Sequence, residues 1–348
     1  MKIAQIAPLI EAIPPKFYGG TERVVSHLTE ALVAMGHEVT LFASGDSRTS
    51  ARLIPCAPEA LRLAPGVGDY LPYHVSMIED VAGRADEFEI FHFHLDFVHM
   101  PVFRALADRT VTTLHGRLDS PDLAAFYRRH AHMPLVSISD AQREPMPPVR
   151  WLGTVHHGLP EDLYRPGPGG DYLAFLGRIS PEKRPDRAIR IARAAGLPLK
   201  IAAKVDRVDR GYFESVVKPL LDTPMVEFIG EIGEAEKEDF LGRARALLFP
   251  IDWPEPFGLV MIEAMACGTP TIAYPRGAVP EVIENGVTGF IVADEDAAVH
   301  AIARVATLDR ARIRARFEDR FTARRMAADY VALYEHLLAT EPVVTAVA

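Results

Sequence analysis

The chain has only two cysteines among its 348 residues, Cys56 and Cys267. Cys267 falls inside a stretch that reads as helix, so a structural disulfide is not expected and a reducing compartment fits. Long apolar runs are missing too. No window approaches the roughly 20 apolar residues needed to span a bilayer. The opening residues 1–8 are too short, and too broken by Pro8, to read as a signal peptide. Positive charge is in deficit: 38 Lys and Arg against 47 Asp and Glu leave a net charge of −9, which argues against nucleic acid as a main partner. The first βα turn has no Gly-x-Gly-x-x-Gly fingerprint, which counts against a dinucleotide-dependent oxidoreductase. No fixed-period repeat of the solenoid kind is present. What these absences leave is the expectation of a cytoplasmic globular enzyme, and 49% hydrophobic with 24% charged residues agrees with it.

The length exceeds one typical domain and suggests two. Strand and helix patterns alternate throughout, which argues for an α/β fold with parallel sheets. Residues 2–7 read as a first strand. After a Pro- and Gly-broken loop, Thr21 is the expected N-cap of a helix with Val24, Val25, Leu28, Leu32 and Met35 on its apolar face, ended by Gly36. Further strands are expected at 38–43, 90–93, 110–114, 135–138 and 152–155. The Pro/Gly-dense stretch 158–170 is the best linker candidate, which places the domains at 1–166 and 167–325. The cycle then restarts, with strands at 172–176, 199–202, 226–229, 246–249 and 271–273 and a helix over 185–195. An amphipathic helix over 326–340 closes the chain, with Ala327, Tyr330, Leu333, Tyr334 and Leu337 as its apolar positions. One basic segment interrupts the acidic balance: Arg304, Arg310, Arg312, Arg314, Arg316, Arg320, Arg324 and Arg325 against Asp309, Glu318 and Asp319. Such a segment either presents a solvated face or touches an anionic membrane surface.

The most informative stretch is 255–270, Glu-Pro-Phe-Gly-Leu-Val-Met-Ile-Glu-Ala-Met-Ala-Cys-Gly-Thr-Pro. It follows an apolar run that reads as a buried parallel strand. Gly258 lies where loop turns to helix, and Gly268 stops that helix. A helix N-terminus offers free N–H groups and a positive dipole end to an anion. Glu255 precedes that mouth and Glu263 lies on the second turn, both suited to accept from hydroxyls. A sugar carried on a phosphate has both kinds of group. Upstream, Arg178 ends a strand and Lys183 stands five residues on, two cations at one sheet edge that suit a diphosphate leaving group. In the first half, Gly19 and Gly20 open a helix and allow close backbone approach to a ligand. His115 follows a strand directly, at an edge position. His92, His94 and His99 with Asp96 have the look of a metal set, but no second ligand pair accompanies them, and no metal is expected.

The Glu-x7-Glu spacing, the Phe-Gly after its first Glu and the Glu-Ala-Met-Ala-x-Gly-x-Pro tail resemble the signature of retaining GT-B glycosyltransferases, group 1 / family 4. Gly177-Arg178 with Lys183 is similar to the family's Gly-Arg…Lys-Gly element, with Arg184 where Gly is usual. His157 stands where the family often has Asn, and residues 277–290 match the stretch after the signature helix. The resemblance runs from about residue 3 to residue 292. It implies two Rossmann-like domains facing each other across a cleft, with the final helix crossing back to the first. It further implies a metal-independent hexosyltransferase without cofactor, a nucleotide-diphosphate sugar as co-substrate, and a saccharide, lipid or small-molecule acceptor. Donor contacts would come from Gly19, Gly20, Arg178, Lys183, Glu255, Phe257, Gly258, Leu259 and Glu263, and chemistry from His115, Glu255, Arg178 and Lys183. Acceptor loops are expected at 8–20 and 118–132. A peripheral contact with the inner membrane face is compatible with this reading. The rival readings are a sugar-nucleotide epimerase on the same scaffold, a nucleotide-binding oxidoreductase and a non-enzymatic nucleotide-sugar sensor.

Overall fold

A computed structural model describes residues 1–16, 19–62 and 64–340. Contacts group them into two units, Met1–Gly158 with the chain after Ala323, and Leu159–Thr322. In the first unit, seven parallel strands are β1 (Lys2–Ile6), β2 (Glu38–Ser44), β3 (Arg52–Ala57), β4 (Ile90–Phe93), β5 (Thr110–Thr113), β6 (Leu135–Ser137) and β7 (Trp151–Thr154). They line up in the order β3-β2-β1-β4-β5-β6-β7. All four residues of β4 and of β5 are buried, as expected where helices cover both faces of a parallel sheet.

Helix α1 (Gly20–Ala34) buries Val24, Val25, Leu28 and Leu32. It starts one residue before the expected Thr21 cap, with Gly19 as N-cap. Its end is a glycine stop. Gly36 adopts φ +88°, its N–H bonds Val33 O at 2.9 Å, and His37 N–H reaches Leu32 O at 3.2 Å. Helices α2 (Leu71–Ala82) and α3 (Pro121–Arg129) complete the layer, so the expected loop at 118–132 contains two turns of helix instead. Pro121 at its first position favours that start.

The second unit starts with β8 (Tyr172–Arg178), α4 (Pro185–Ala194), β9 (Leu199–Lys204), the single turn α5 (Arg210–Tyr212), β10 (Val226–Gly230), α6 (Glu234–Gly242) and β11 (Ala244–Phe249). It continues with α7 (Leu259–Ala266), β12 (Thr271–Ala273), α8 (Val279–Val282), β13 (Gly289–Ile291), α9 (Glu295–Arg304) and α10 (Arg310–Arg320). Its six strands run parallel in the order β10-β9-β8-β11-β12-β13. Helix α11 (Ala323–Ala339) returns to the first unit, where it packs on α1.

The unit boundary falls at Gly158/Leu159, ahead of the 166/167 division read from sequence. The Pro/Gly stretch is not a free linker. Gly167 N–H bonds Cys267 O at 3.0 Å and Gly169 N–H bonds Gly242 O at 2.9 Å. A Cβ on Gly167 would lie 2.3 Å from Gly242 backbone, and one on Gly170 2.4 Å from Arg243 O. These glycines serve close packing on the second unit. The two crossings lie side by side, since Leu159 N–H bonds Phe321 O at 2.9 Å and Leu159 bridges Thr322.

The arginine-rich segment is not simply a solvated face. Arg310 donates to Gly167 O (3.0 Å), Ala244 O (3.2 Å), Gly242 O (2.9 Å) and Thr269 Oγ1 (2.7 Å). Arg314 donates to Tyr164 O at 2.6 Å and Ala266 O at 2.8 Å. Both thus bind carbonyls at the ends of α6 and α7, where a cation suits the negative end of the helix. Arg312 is exposed. No helix among the described residues is long and apolar enough to cross a membrane. Arg310→Leu should lower stability by about 3 kcal/mol, since stranded buried carbonyls cost roughly 1–3 kcal/mol each. The urea midpoint measures this, and an unchanged midpoint would show that these bonds carry no net stability.

Candidate active site

In the second unit the loops at the C-terminal ends of β8 and β11 meet, because those two strands are paired neighbours. Arg178 is the last residue of β8. Lys183 lies in the turn that follows, and its Nζ binds Glu255 Oε2 directly. Glu255 also accepts from Trp253 Nε1 at 3.0 Å. The ammonium lies 4.8 Å from the Trp253 ring centroid and 5.6 Å from that of Phe249, a cation–π environment. Only 8% of the Glu255 side chain is exposed, so the lysine meets a real need for a counter-charge.

Glu263, on the second turn of α7, has only 4% of its side chain exposed and accepts from Lys237 Nζ of α6 at 2.7 Å. Lys237 also lies 3.8 Å from Glu234. The two acids of the signature therefore do not share a cation; each has its own lysine. Nothing in the local sequence around Lys237 marks it, because its partner is 26 positions away. The one available signal was its place on the helix after β10, at the same sheet edge.

Two glycines shape the loop between. Gly258 caps α7 at φ +83°, and a Cβ there would lie 2.8 Å from Met261 Cε. Gly277, at φ +55°, passes so close to Glu255 that a Cβ would sit 2.3 Å from its carbonyl oxygen. Ala278 N–H donates to that same oxygen at 2.9 Å, which fixes Glu255 by its backbone. Phe257 is buried and packs edge-on against Phe321 at 6.2 Å. Leu259 is the first residue of α7.

Arg178 does not join the lysine pair. Its guanidinium faces Asp209 (3.4 Å), Glu182 (3.7 Å) and Asp206 (3.9 Å). Arg184 keeps a glycine-like backbone, φ 54° and ψ 52°, a conformation costing a side-chain-bearing residue roughly 1–2 kcal/mol. It is held by two 3.0 Å bonds to Asp186 and one of 3.1 Å to Asp252. Its charge is thus engaged within the loop.

In the first unit, Gly19 leaves no room for a side chain: a Cβ would lie 2.8 Å from Pro15 Cβ and 3.1 Å from Glu22 Oε2. Gly20 is the first residue of α1, and Tyr18 lies outside the described residues. The Glu22 carboxyl beside this loop is pushed up to about 7, chiefly by burial. His115 follows β5, and burial pulls its pKa down to about 3, so the ring is neutral. Its ring stacks on that of His157 at 5.3 Å and 17°. His92 and His94 are spent on hydrogen bonds to Thr113, Tyr334, Gln5 and His115. His99 instead stacks on Phe93 and bonds Thr112. No group of three or more His, Cys, Asp or Glu side chains is placed to hold a metal ion among the described residues.

Against known proteins, residues 165–320 match the family model for glycosyl transferases group 1, and residues 18–143 that for Glycosyltransferase Family 4. The D-inositol 3-phosphate glycosyltransferase of Rhodococcus erythropolis is 34% identical over 163 residues, 40% of this chain and 37% of that protein. Its Mycobacterium marinum counterpart is 29% identical over 169 residues, 42% and 34% respectively. The matched region spans well under half the length of these relatives. Among solved structures, a glycosyltransferase involved in avilamycin A biosynthesis aligns over 97% of this chain and 98% of its own, with 24% identity and a TM-score of 0.75. Anabaena HepE in complex with UDP and glucose aligns over 98% and 100%, with 17% identity and a TM-score of 0.72. The fold is GT-B.

Glu234 supplies a pH test of this pocket. Burial raises its carboxyl to about 7 from 4.5, with Lys237 opposing and Glu263 reinforcing the shift. Between those values the unfolded chain ionises the group while the folded chain keeps its proton, so its contribution to stability falls as pH rises. The stability of Glu234→Gln relative to the parent should therefore grow from pH 5 to pH 8 in urea titrations. An advantage that is flat with pH would show the carboxyl ionising normally.

Proposed function

Because the chain belongs to the glycosyltransferase group 1 / family 4 family, we propose that it is a retaining glycosyltransferase. It would move a sugar from a nucleotide-diphosphate donor to a hydroxyl acceptor. The observation that carries this reading is the pair of buried carboxylates at the start of α7, each set against its own lysine. A carboxylate buried beside a helix N-terminus is placed to accept from hydroxyls, and the N–H groups at that terminus are placed to receive phosphate. In this reading Glu263 accepts from the ribose hydroxyls and Glu255 from the donor sugar. Lys183 and Arg178 neutralise the diphosphate as the sugar–phosphate bond breaks, because negative charge then builds on the leaving oxygen. The amides from Phe257 to Leu259 add to that field.

A bound diphosphate would compete with Glu255 for Lys183 and with Asp206, Asp209 and Glu182 for Arg178, and so would draw both cations onto itself. Retention is supported by family membership: acceptor attack and leaving-group departure occur on one face, with the leaving phosphate taking the acceptor's proton. HepE's complexes with UDP and with UDP-glucose support a nucleotide-sugar donor. The inositol phosphate glycosyltransferases support a hydroxylated small-molecule acceptor.

A thermal-shift panel of UDP, GDP, ADP, TDP and their common sugar conjugates tests the donor site. A nucleotide at about 100 times its dissociation constant should add roughly 2.7 kcal/mol, and Glu263→Ala should abolish that gain. No shift with any nucleotide would sink the roles given to Glu263, Arg178 and Lys183. Product formed from the donor alone, with no acceptor present, would instead identify an epimerase. With the donor known, Lys183→Ala should lower kcat by about 10²–10³-fold, the usual loss when one charge-stabilising donor is removed.

A further inference from the structure

Lys183 has a task in the proposed function and Lys237 has none, although each is paired with a buried acid of the signature. Side-chain exposure is 12% for Lys237 and 4% for Glu263. The ammonium donates to Glu263 Oε1 at 2.7 Å and lies 3.8 Å from Glu234, so Glu263 is its nearer partner. No other hydrogen bond reaches the Glu263 carboxylate among the described residues. Its second oxygen, Oε2, is unbonded yet is not closed off from solvent. One oxygen is spent on the lysine and the other is left to accept.

Both ends of α6 are fixed, and with them the place of Lys237. The Glu236 carboxylate accepts from Gly233 N–H at 2.8 Å, which satisfies a donor at the start of the helix. Lys237 is the next residue. At the other end Thr269 Oγ1 donates to Leu241 O at 2.7 Å, tying the last turn of α6 to the segment after α7. Leu241 is buried and stands one turn beyond Lys237, so this tie sets the height at which Lys237 meets Glu263.

Burial gives that meeting a chemical consequence. A carboxylate out of water and without a cation takes up a proton rather than keep its charge. An ionised carboxylate only accepts, and it holds a hydroxyl more strongly than a neutral acceptor does. We infer that Lys237 is a positioning residue: it keeps Glu263 charged and occupies Oε1, so that Oε2 selects nucleotides by their ribose hydroxyls. The ribose contact rests on the transferase reading, and every residue concerned lies in the second unit. The two lysines then divide the donor, Lys183 answering to its phosphates and Lys237, through Glu263, to its ribose.

Isothermal titration with UDP, GDP, ADP and TDP, and with their 2′,3′-dideoxy counterparts, tests this on the parent and on lysine variants. For the nucleotide that binds, the parent should prefer the form with hydroxyls by about 10- to 100-fold, the worth of a hydrogen bond to a charged group. Lys237→Met should lose most of that ratio by weakening the hydroxyl-bearing form alone. Lys237→Arg, which keeps the cation, should retain it. Lys183→Met should weaken both forms alike and leave the ratio near that of the parent. Should the Met variant fail to fold, Lys237→Gln, also without charge, should lose the ratio in the same way. A full ratio in the neutral variant would overturn the positioning role. Equal weakening of both forms there would overturn it too, because the lysine would then only support the fold. A parent that binds both forms equally would overturn the ribose contact and leave the donor site standing. Binding of no nucleotide at all would remove the transferase reading, and this inference with it.

Discussion

A carboxylate taken out of water must find a positive partner or give up its charge. Glu255 and Glu263 are both buried, and the second unit is arranged around providing a lysine for each. Lys183 comes from the turn after β8 and Glu255 from the loop after β11, two strands that touch in the sheet. Lys237 comes from α6 and Glu263 from α7, two helices in contact. Gly258 and Gly277 matter for the same reason. A side chain at Gly277 would strike the Glu255 backbone, and one at Gly258 would press on Met261 and Phe249 beside it.

The first unit solves a related problem without charge. Its interior holds Gln5, His92, His94, Thr113, Tyr330 and Tyr334, any of which would be costly alone. Neutral imidazoles resolve this, since each both gives and takes one hydrogen bond. Reversing the Gln5 amide would force His94 to change tautomer, and with it His115, to which it is bonded. Among the described residues Nδ1 of His115, beyond the C-terminal end of β5, is one buried ring nitrogen with no hydrogen-bond partner.

Much of this was legible in the sequence, and the rest was hidden for a consistent reason. The signature helix, with Gly258 at its start, and the Gly19-Gly20 turn into α1 could be read because each lies within one short segment, whereas the structure parts Arg178, which faces Asp206, Asp209 and Glu182, from Lys183, which faces Glu255. Alternation of apolar strands and amphipathic helices gave the architecture for the same reason. Lys237 and Gln5 were missed because their significance lies in partners far along the chain: Gln5 meets Tyr334 across 329 positions. The basic segment at 304–325 was misjudged differently. Its composition says that charge is present, not where a long side chain points, and Arg310 and Arg314 turn theirs inward onto carbonyls. Residues 158–170 carried a linker's composition. Glycine there served close backbone approach, which composition cannot distinguish from flexibility.

The return of α11 to the first unit sets an order of events during synthesis. The second unit is one uninterrupted segment whose two ends meet at Leu159 and Thr322, so all of it is translated before α11 is. The first unit is begun earlier, yet it cannot complete its buried hydrogen bonds until Tyr330 and Tyr334 emerge. Through all of that interval Gln5, His92 and Thr113 have no permanent partners at the face that α11 will cover. The unit translated first is therefore the last to be finished, although domains are generally completed from the N-terminal end.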